Sequence, residues 1–240
     1  MNKKTKSLIP RYRFPEFKEN DKWKYLSLEQ IADISMGVSP PSTAYNENNE
    51  GLPLLQGNAD IKDRQSSPRI HTKEITKECK IGDILLSVRA PVGTVAKSIH
   101  NACIGRGLAT LKCYKDYEQN FLYQFLINYE SKWGNISQGG TFDSVNSSEI
   151  KKLNIPIPSL PEQQKIADCL SSLDELITAE NQQLEVLKTH KKGLMQKLFP
   201  EDVESSEDGS LDHPTPSGHP SKGGELRAVP KMRFPEFRGK

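Results

Sequence analysis

Between Ser159 and Phe199 apolar residues recur every three or four positions, with no proline after Pro161 and Gly193 as the only glycine. Ile166, Leu170, Leu173, Ile177, Leu184, Leu187, Leu194 and Leu198 follow alternating four- and three-residue steps. Glu180 and Lys191 stand at the two seam positions that interrupt the series. A stripe of this kind, sustained for more than four heptads, predicts a coiled-coil helix rather than an ordinary surface helix. Ser159-Leu160-Pro161-Glu162 has the S-x-x-E form of a capping box, so the helix is expected to open there. At about 1.5 Å per residue the arm would be of order 55 Å long.

One helix with such a stripe needs a partner, and the two charged seam positions suggest which. In an antiparallel pair of identical helices centred between Glu185 and Val186, Glu180 meets Lys191. The same register sets Leu184 against Leu187, Ile177 against Leu194 and Leu173 against Leu198. Other heptad registers place a charge opposite an aliphatic residue, at a cost of several kcal/mol if fully desolvated. The expectation is an antiparallel homodimer. Packing of the stripe within its own domain is the alternative.

Upstream the periodicity changes. Ser27 and Gln30 form a capping-box pair opening a short helix through Ile31. A Gly/Pro/Asn-rich loop runs from Gly37 to Gly51. Leu52-Pro53-Leu54-Leu55 is a short strand ending at Gln56-Gly57-Asn58. Ile84 to Arg89 reads as a buried strand, with Val92–Ala96 and Leu108–Leu111 as its neighbours. Phe121, Leu122, Phe125, Leu126 and Tyr129 share one face at helical spacing. Gln138-Gly139-Gly140-Thr141 is a flexible loop. Asn154-Ile155-Pro156-Ile157-Pro158 is a closing edge strand, because its prolines cannot donate to a ladder.

The organisation expected is therefore a mixed α/β (α+β) domain over residues 1–158, then a long coiled-coil helix over 159–200. Residues 201–240 open with an Asp/Glu/Ser/Gly/Pro-rich stretch that has little to bury and reads as a disordered linker. Within it, Arg233-Phe234-Pro235-Glu236-Phe237 repeats Arg13-Phe14-Pro15-Glu16-Phe17, as though a second repeat began there and stopped.

Overall charge is only +2, which hides an uneven distribution. From Asp60 to Lys115 eleven basic residues face five acidic ones, whereas Glu201 to Asp212 holds no Lys or Arg. A basic middle is what counterion release from DNA requires. Cys79, Cys103, Cys113 and Cys169 lie far apart with no C-x-x-C pair, and read as reduced core thiols rather than a zinc site or disulfide framework. The basic start lacks the apolar run of a signal peptide and no stretch is long enough to span a bilayer, so a cytoplasmic, non-membrane protein is expected.

Several motifs then occur in a telling order: Arg13 to Phe17 with Trp23, Pro53 to Asn58 (PLLQGN), and Gly82 to Thr94 (GDILLSVRAPVGT). Ile155-Pro156-Ile157-Pro158 leads into Leu160-Pro161-Glu162-Gln163-Gln164-Lys165-Ile166-Ala167, and Leu194-Met195-Gln196-Lys197-Leu198-Phe199 ends the arm. In this the chain resembles the specificity subunits of type I restriction–modification enzymes, in a half-size form with one target-recognition domain. The resemblance runs almost continuously over residues 11–200; the departure is length, since family members usually carry two recognition domains and two helical regions. The resemblance implies a domain reading a few base pairs of double-stranded DNA in the major groove, and an arm that seats modification (methyltransferase) subunits. Those partners would bring S-adenosylmethionine, the chain itself needing no cofactor, and a restriction motor subunit would cut. Two copies would read an interrupted palindrome.

Side chains suited to base readout on loops of this domain are Gln56, Asn58, Arg64, Gln65, Arg69, Gln138, Thr141 and Asn146, with Arg89, Lys97 and Arg106 suited to phosphate. Each has a plainer role open to it; Arg89, for one, could pair with Asp83. Catalytic readings lack parts. There is no phosphate-binding G-x-x-x-x-G-K-[ST] loop. Ser39-Pro40-Pro41-Ser42 lacks the acid and aromatic of an adenine-methyltransferase motif, and the E-x-K spacing of Glu78-Cys79-Lys80 falls in a charged segment. A non-catalytic DNA-recognition subunit is expected. Its rivals are a pure protein-interaction module and a free-standing nuclease.

Overall fold

Short aliphatic runs bounded by Gly, Pro and Asp break the first part of the chain into many brief strands. The computed structural model describes residues 8–137 and 144–199. In chain order the elements begin with β1 (Lys24–Ser27), α1 (Leu28–Ile31), β2 (Ala32–Met36), β3 (Tyr45–Asn46), β4 (Leu52–Leu55), β5 (Ile61–Lys62) and β6 (Gln65–Ser66). Next come β7 (Ile70–Thr72), β8 (Glu78–Cys79), β9 (Ile84–Ser87), β10 (Val95–Lys97), β11 (Ala102–Ile104) and β12 (Leu108–Cys113). The series ends with α2 (Gln119–Ser137), α3 (Ser147–Lys151), β13 (Asn154–Ile157) and α4 (Leu160–Leu198). The chain falls into two compact units, Met1–Leu173 and Asp174–Lys240.

The first unit is built on a six-stranded sheet, β2-β12-β9-β10-β6-β5, and a five-stranded sheet, β3-β7-β4-β11-β8. Strand β9 sits inside the larger sheet between β12 and β10, antiparallel to both. Its side chains alternate between two apolar layers, as the period of two dictates. Ile84 and Leu86 join Val88, Val95, Ala109 and Leu111 against Phe121, Leu122, Leu126 and Trp133 of α2. Leu85 turns the other way, onto Leu55, Cys79, Ala96, Ile104 and Leu108. A strand covered on both faces reads as an unbroken apolar run, which is why Ile84-Leu85-Leu86 was legible as buried.

The capping box on α1 forms, with Gln30 Oε1 accepting from the Ser27 backbone N–H at 2.8 Å. The predicted edge strand is β13, and it pairs antiparallel with β1, setting Pro156 opposite Tyr25. Strand β9 stops at Ser87, two residues short of expectation. Ser87 Oγ bonds the carbonyls of Arg89 (2.9 Å) and Pro91 (2.7 Å), folding the chain into a turn. At its far end Gly93 has φ +95° and lies against Trp133, where a Cβ would come within 2.4 Å of the ring.

The start of α4 is welded to the sheets and to α2 of the first unit. Glu162 and Gln163 are buried, Ala167 is 1% exposed, and Ile166 packs on the first core. Gln163 Oε1 accepts from Glu118 N (3.0 Å) while its Nε2 donates to Pro158 O (3.0 Å). The S-x-x-E reading of Glu162 needs correction. Its carboxylate takes the Arg13 guanidinium fork, both bonds at 2.7 Å, and the Trp23 indole N–H at 3.2 Å, rather than turning back to Ser159. A buried acid finds a stronger partner in a cation than in a backbone amide.

Past Leu173 the helix continues unbroken to Leu198. Leu173, Ile177, Leu184 and Leu187 are 51%, 57%, 48% and 57% exposed, Glu180 and Lys191 are exposed, and Leu194 and Leu198 are half-buried. Leu176 and Met195, also exposed, fall on the same stripe at 100° per residue, whereas Val186 lies off it. The cysteine reading is corrected in part: Cys79 and Cys103 are buried, Cys113 is half-buried, and Cys169 is exposed on α4, all four free. The segment 201–240, with its linker and repeat, lies outside the described residues.

Candidate nucleic-acid interface

Three turns interlock at one end of the domain, and glycines let them do so. Gly37 N donates to Leu108 O (2.9 Å), Gly105 N to Leu55 O (2.8 Å) and Gly107 N to Gln56 O (3.0 Å). A Cβ on Gly37 would sit 2.1 Å from Gly105 O, and one on Gly107 2.3 Å from Gln56 O. Backbones this close exclude any side chain. Ser39 Oγ accepts from Arg106 N at 3.1 Å, pinning the exposed Arg106 between the turns.

Arg89 arrives at the same end. Val88 N donates to Gly107 O (2.9 Å), which continues the β9–β12 ladder and brings Arg89 level with Arg106. The backbone of Arg89 bridges Ser144, and Val145 N donates to Val88 O (3.0 Å), so Asn146 follows close by. Arg89 therefore stands beyond the opposite end of β9 from Asp83, whose Oδ2 accepts from Lys80 N at 2.7 Å. The ion pair left open between them does not form.

The turn carrying Gln56 and Asn58 is held by Asp60, a carboxylate 1% exposed. Its Oδ2 accepts from Gln56 N (2.7 Å) and Gly57 N (3.4 Å), and its Oδ1 from Arg69 Nε (2.8 Å). One buried acid thus ties the turn to Arg69, whose side chain remains 63% exposed. Gln56, Asn58, Arg69, Arg89, Arg106 and Asn146 converge from segments up to ninety residues apart. Gln56 and the three arginines present an amide and guanidinium groups, the chemistry that reads base edges and holds phosphates, whereas the Asn58 Oδ1 is buried.

Residues 20–189 match the model of the type I restriction modification DNA specificity domain. The chain belongs to that family. It is 36% identical over 180 residues to the protein named as the MjaX specificity subunit of a type I restriction enzyme in Methanocaldococcus jannaschii, covering 74% of this chain and 42% of that one. Among solved structures it resembles the HsdS subunit from Thermoanaerobacter tengcongensis at 33% identity and a TM-score of 0.59, over 72% of this chain and 41% of that one. A chain from a structure of type I restriction–modification complex assembly matches at 33% identity and a TM-score of 0.64, over 77% and 45%. The chain thus spans under half the length of the relatives it matches. The specificity-subunit fold, a mixed α/β domain followed by a long helix, is as expected.

Within this fold the other candidates sit elsewhere. Lys62 pairs with Gln65 across a two-residue hairpin loop, Asp63-Arg64, in which both φ angles are positive. Arg64 forms an ion pair with Glu130 of α2 and donates to Val95 O (3.2 Å). Lys97 N donates to Arg64 O (2.9 Å), and its ammonium lies 4.5 Å from the centre of the Tyr123 ring. Gln65 is exposed beside them. Asn146 also has structural work, its Oδ1 capping α3 through Glu149 N at 3.0 Å. Gln138 and Thr141 lie outside the described residues. In the E-x-K triplet Glu78-Cys79-Lys80, the spacing a nuclease reading would use, the Glu78 carboxylate is taken by Lys80.

Sequence reasoning did not single out Ser39 and Asp60, which hold the turns of the candidate interface. An aspartate three positions after Gly57 is a turn-closing pattern that the sequence does display; nothing in the sequence tells that Ser39 meets Arg106.

Proposed function

We propose that this chain is the non-catalytic subunit that reads DNA sequence for a type I restriction–modification enzyme, one recognition domain to each half-site. The observation carrying this reading is the convergence of Gln56, Arg69, Arg89 and Arg106 on interlocked, glycine-locked turns. Such turns hold base-reading side chains at fixed spacing, which sequence discrimination requires. Two copies pair antiparallel through Leu173, Ile177, Leu184, Leu187, Leu194 and Leu198, with Glu180 against Lys191, and so read a gapped palindrome. Support comes from the exposed apolar stripe along α4. The arm seats methyltransferase subunits that carry S-adenosylmethionine, and a motor subunit completes the restriction complex. Among the described residues no helix is long and apolar enough to cross a membrane, in keeping with work on DNA in the cytoplasm.

The test is selection from a random duplex pool by the chain reconstituted with its modification subunits, near 0.15 M salt. Two inverted half-sites at a fixed gap are expected. Arg89→Ala and Arg106→Ala should each weaken binding and lower the salt slope by about one. Recovery of no motif would leave only the interaction-module reading. The pairing has its own test: light scattering should find a dimer that Glu180→Lys breaks and Glu180→Lys with Lys191→Glu restores. Absence of rescue would overturn the register.

A further inference from the structure

The seat at the head of α4 has one ligand in view, and the chain carries that ligand twice. Arg13 meets Glu162 through two 2.7 Å bonds, and Lys165 lies 5.7 Å from the Phe14 ring centre and 3.6 Å from Glu16. Residues 10–18 read Pro-Arg-Tyr-Arg-Phe-Pro-Glu-Phe-Lys, and residues 230–238 read Pro-Lys-Met-Arg-Phe-Pro-Glu-Phe-Arg. Six of nine positions are identical, and two of the others exchange Lys with Arg. Arg13, Phe14 and Glu16, which make the seat contacts, all recur as Arg233, Phe234 and Glu236. The remaining difference, Met232 for Tyr12, falls where the side chain is 81% exposed. No residue of 11–18 is buried as a whole, although the Arg13 side chain is only 7% exposed and also donates to Asn20 O (2.9 Å) and Asp21 O (3.0 Å). A cavity of about 380 Å³ lies between Tyr12, Phe14, Trp23 and Ile166. The segment is thus held chiefly by the Arg13–Glu162 fork and could leave without opening either core.

We propose that residues 230–238 of one chain take the Glu162 seat of a second copy when residues 10–18 leave it, an exchange of identical elements that ties two chains together. This rests on the antiparallel pairing proposed above. In that register Glu162 of one chain lies level with position 209 of the other, ten residues past Phe199. That is about 15 Å of helix rise, against about 55 Å back to the same chain's own Glu162. Thirty residues separate Phe199 from Pro230, and a flexible chain of that length would have a root-mean-square span of about 30 Å. The partner's seat falls inside that span, whereas the chain's own seat lies at nearly twice it and is met less often, although thirty residues fully extended would cover about 100 Å.

The test uses the full-length chain. Arg13→Glu sets a second carboxylate beside Glu162 and drives residues 10–18 off the seat. The repeat should then fill it, so the Arg13→Glu dimer should dissociate at a concentration at least tenfold lower than the Arg13→Glu, Arg233→Glu dimer. A fluorescent peptide of residues 227–240 should bind that double variant, and its Arg233→Glu form should bind at least tenfold more weakly. Equal dissociation of the two variants, or no binding of the peptide, would overturn the exchange. A monomeric wild-type chain would instead overturn the pairing and with it the second copy as the source; the peptide would still decide whether the seat accepts the repeat.

Discussion

Gly57 and Gly107 touch, yet replacing them by alanine should have opposite consequences. At Gly107 the added Cβ would lie 2.3 Å from Gln56 O and 3.0 Å from Gly57 Cα. Neither is a side chain that can swing away, so the turn must move, and the Gly107 N to Gln56 O bond (3.0 Å) is strained or lost with it. Overpacking costs about 1–3 kcal/mol and a lost backbone bond about 1, giving about 2–4 kcal/mol together. For a domain of this size that corresponds to a fall in melting temperature of about 4–16 °C. At Gly57 the backbone is extended, with φ 177°, and the nearest atom to an added Cβ is 3.9 Å away. Gly57→Ala should therefore change stability by less than about 0.5 kcal/mol. The two variants are compared by thermal melting, and then by DNA binding at a temperature where both are folded. Gly107→Ala displaces the turn bearing Gln56 and should bind its selected site at least tenfold more weakly; Gly57→Ala should bind like the parent. Equal melting temperatures for the two variants would refute the claim that backbone contact locks the interface turns.

The cysteines give a prediction with a pH sign. Burial pushes the Cys113 thiol up to about 12, from an ordinary value of 9.0, and burial raises Cys79 as well. Between those values the folded state keeps a proton that the unfolded state has lost, so stability falls as pH rises above 9. Cys113 contributes at most about 1.4 kcal/mol per pH unit in that window. Urea midpoints measured from pH 8 to 11 should show the decline, and Cys113→Ser should reduce it; an unchanged slope in that variant would assign the decline to other groups. At pH 8 iodoacetamide should label the exposed Cys169 well before the other three, and labelling of Cys113 at the same rate would contradict its burial.

Periodicity determined much of this protein before any coordinates. The continuous apolar run at Ile84–Leu86 marked a strand covered on both sides, because a strand inside a sheet has two faces to bury. The Ser27–Gln30 capping box and the heptad stripe were equally plain, being local patterns whose spacing matches the helical repeat. The motif Leu160 to Ala167 marked the family, but its chemistry was invisible. Whether Glu162 closes a cap or receives Arg13 depends on a segment 149 residues away, and no local rule chooses between them. The candidate site divides along the same line. Residue type alone selected Arg69, Arg89, Arg106 and Gln56 as fit for DNA, yet it selected Arg64 and Lys97 on the same grounds. Only tertiary structure separates them: Glu130 and Tyr123 on α2 engage Arg64 and Lys97, whereas Arg89 and Arg106 stand exposed at the glycine-locked turns and Arg69, though tied to Asp60, keeps its side chain 63% exposed. Sequence determines what a stretch of chain can form and what a side chain can do. Which distant partner competes for that side chain is settled when the sheets close and α2 and α4 pack against them, because an ion pair or hydrogen bond needs both groups within about 3 Å.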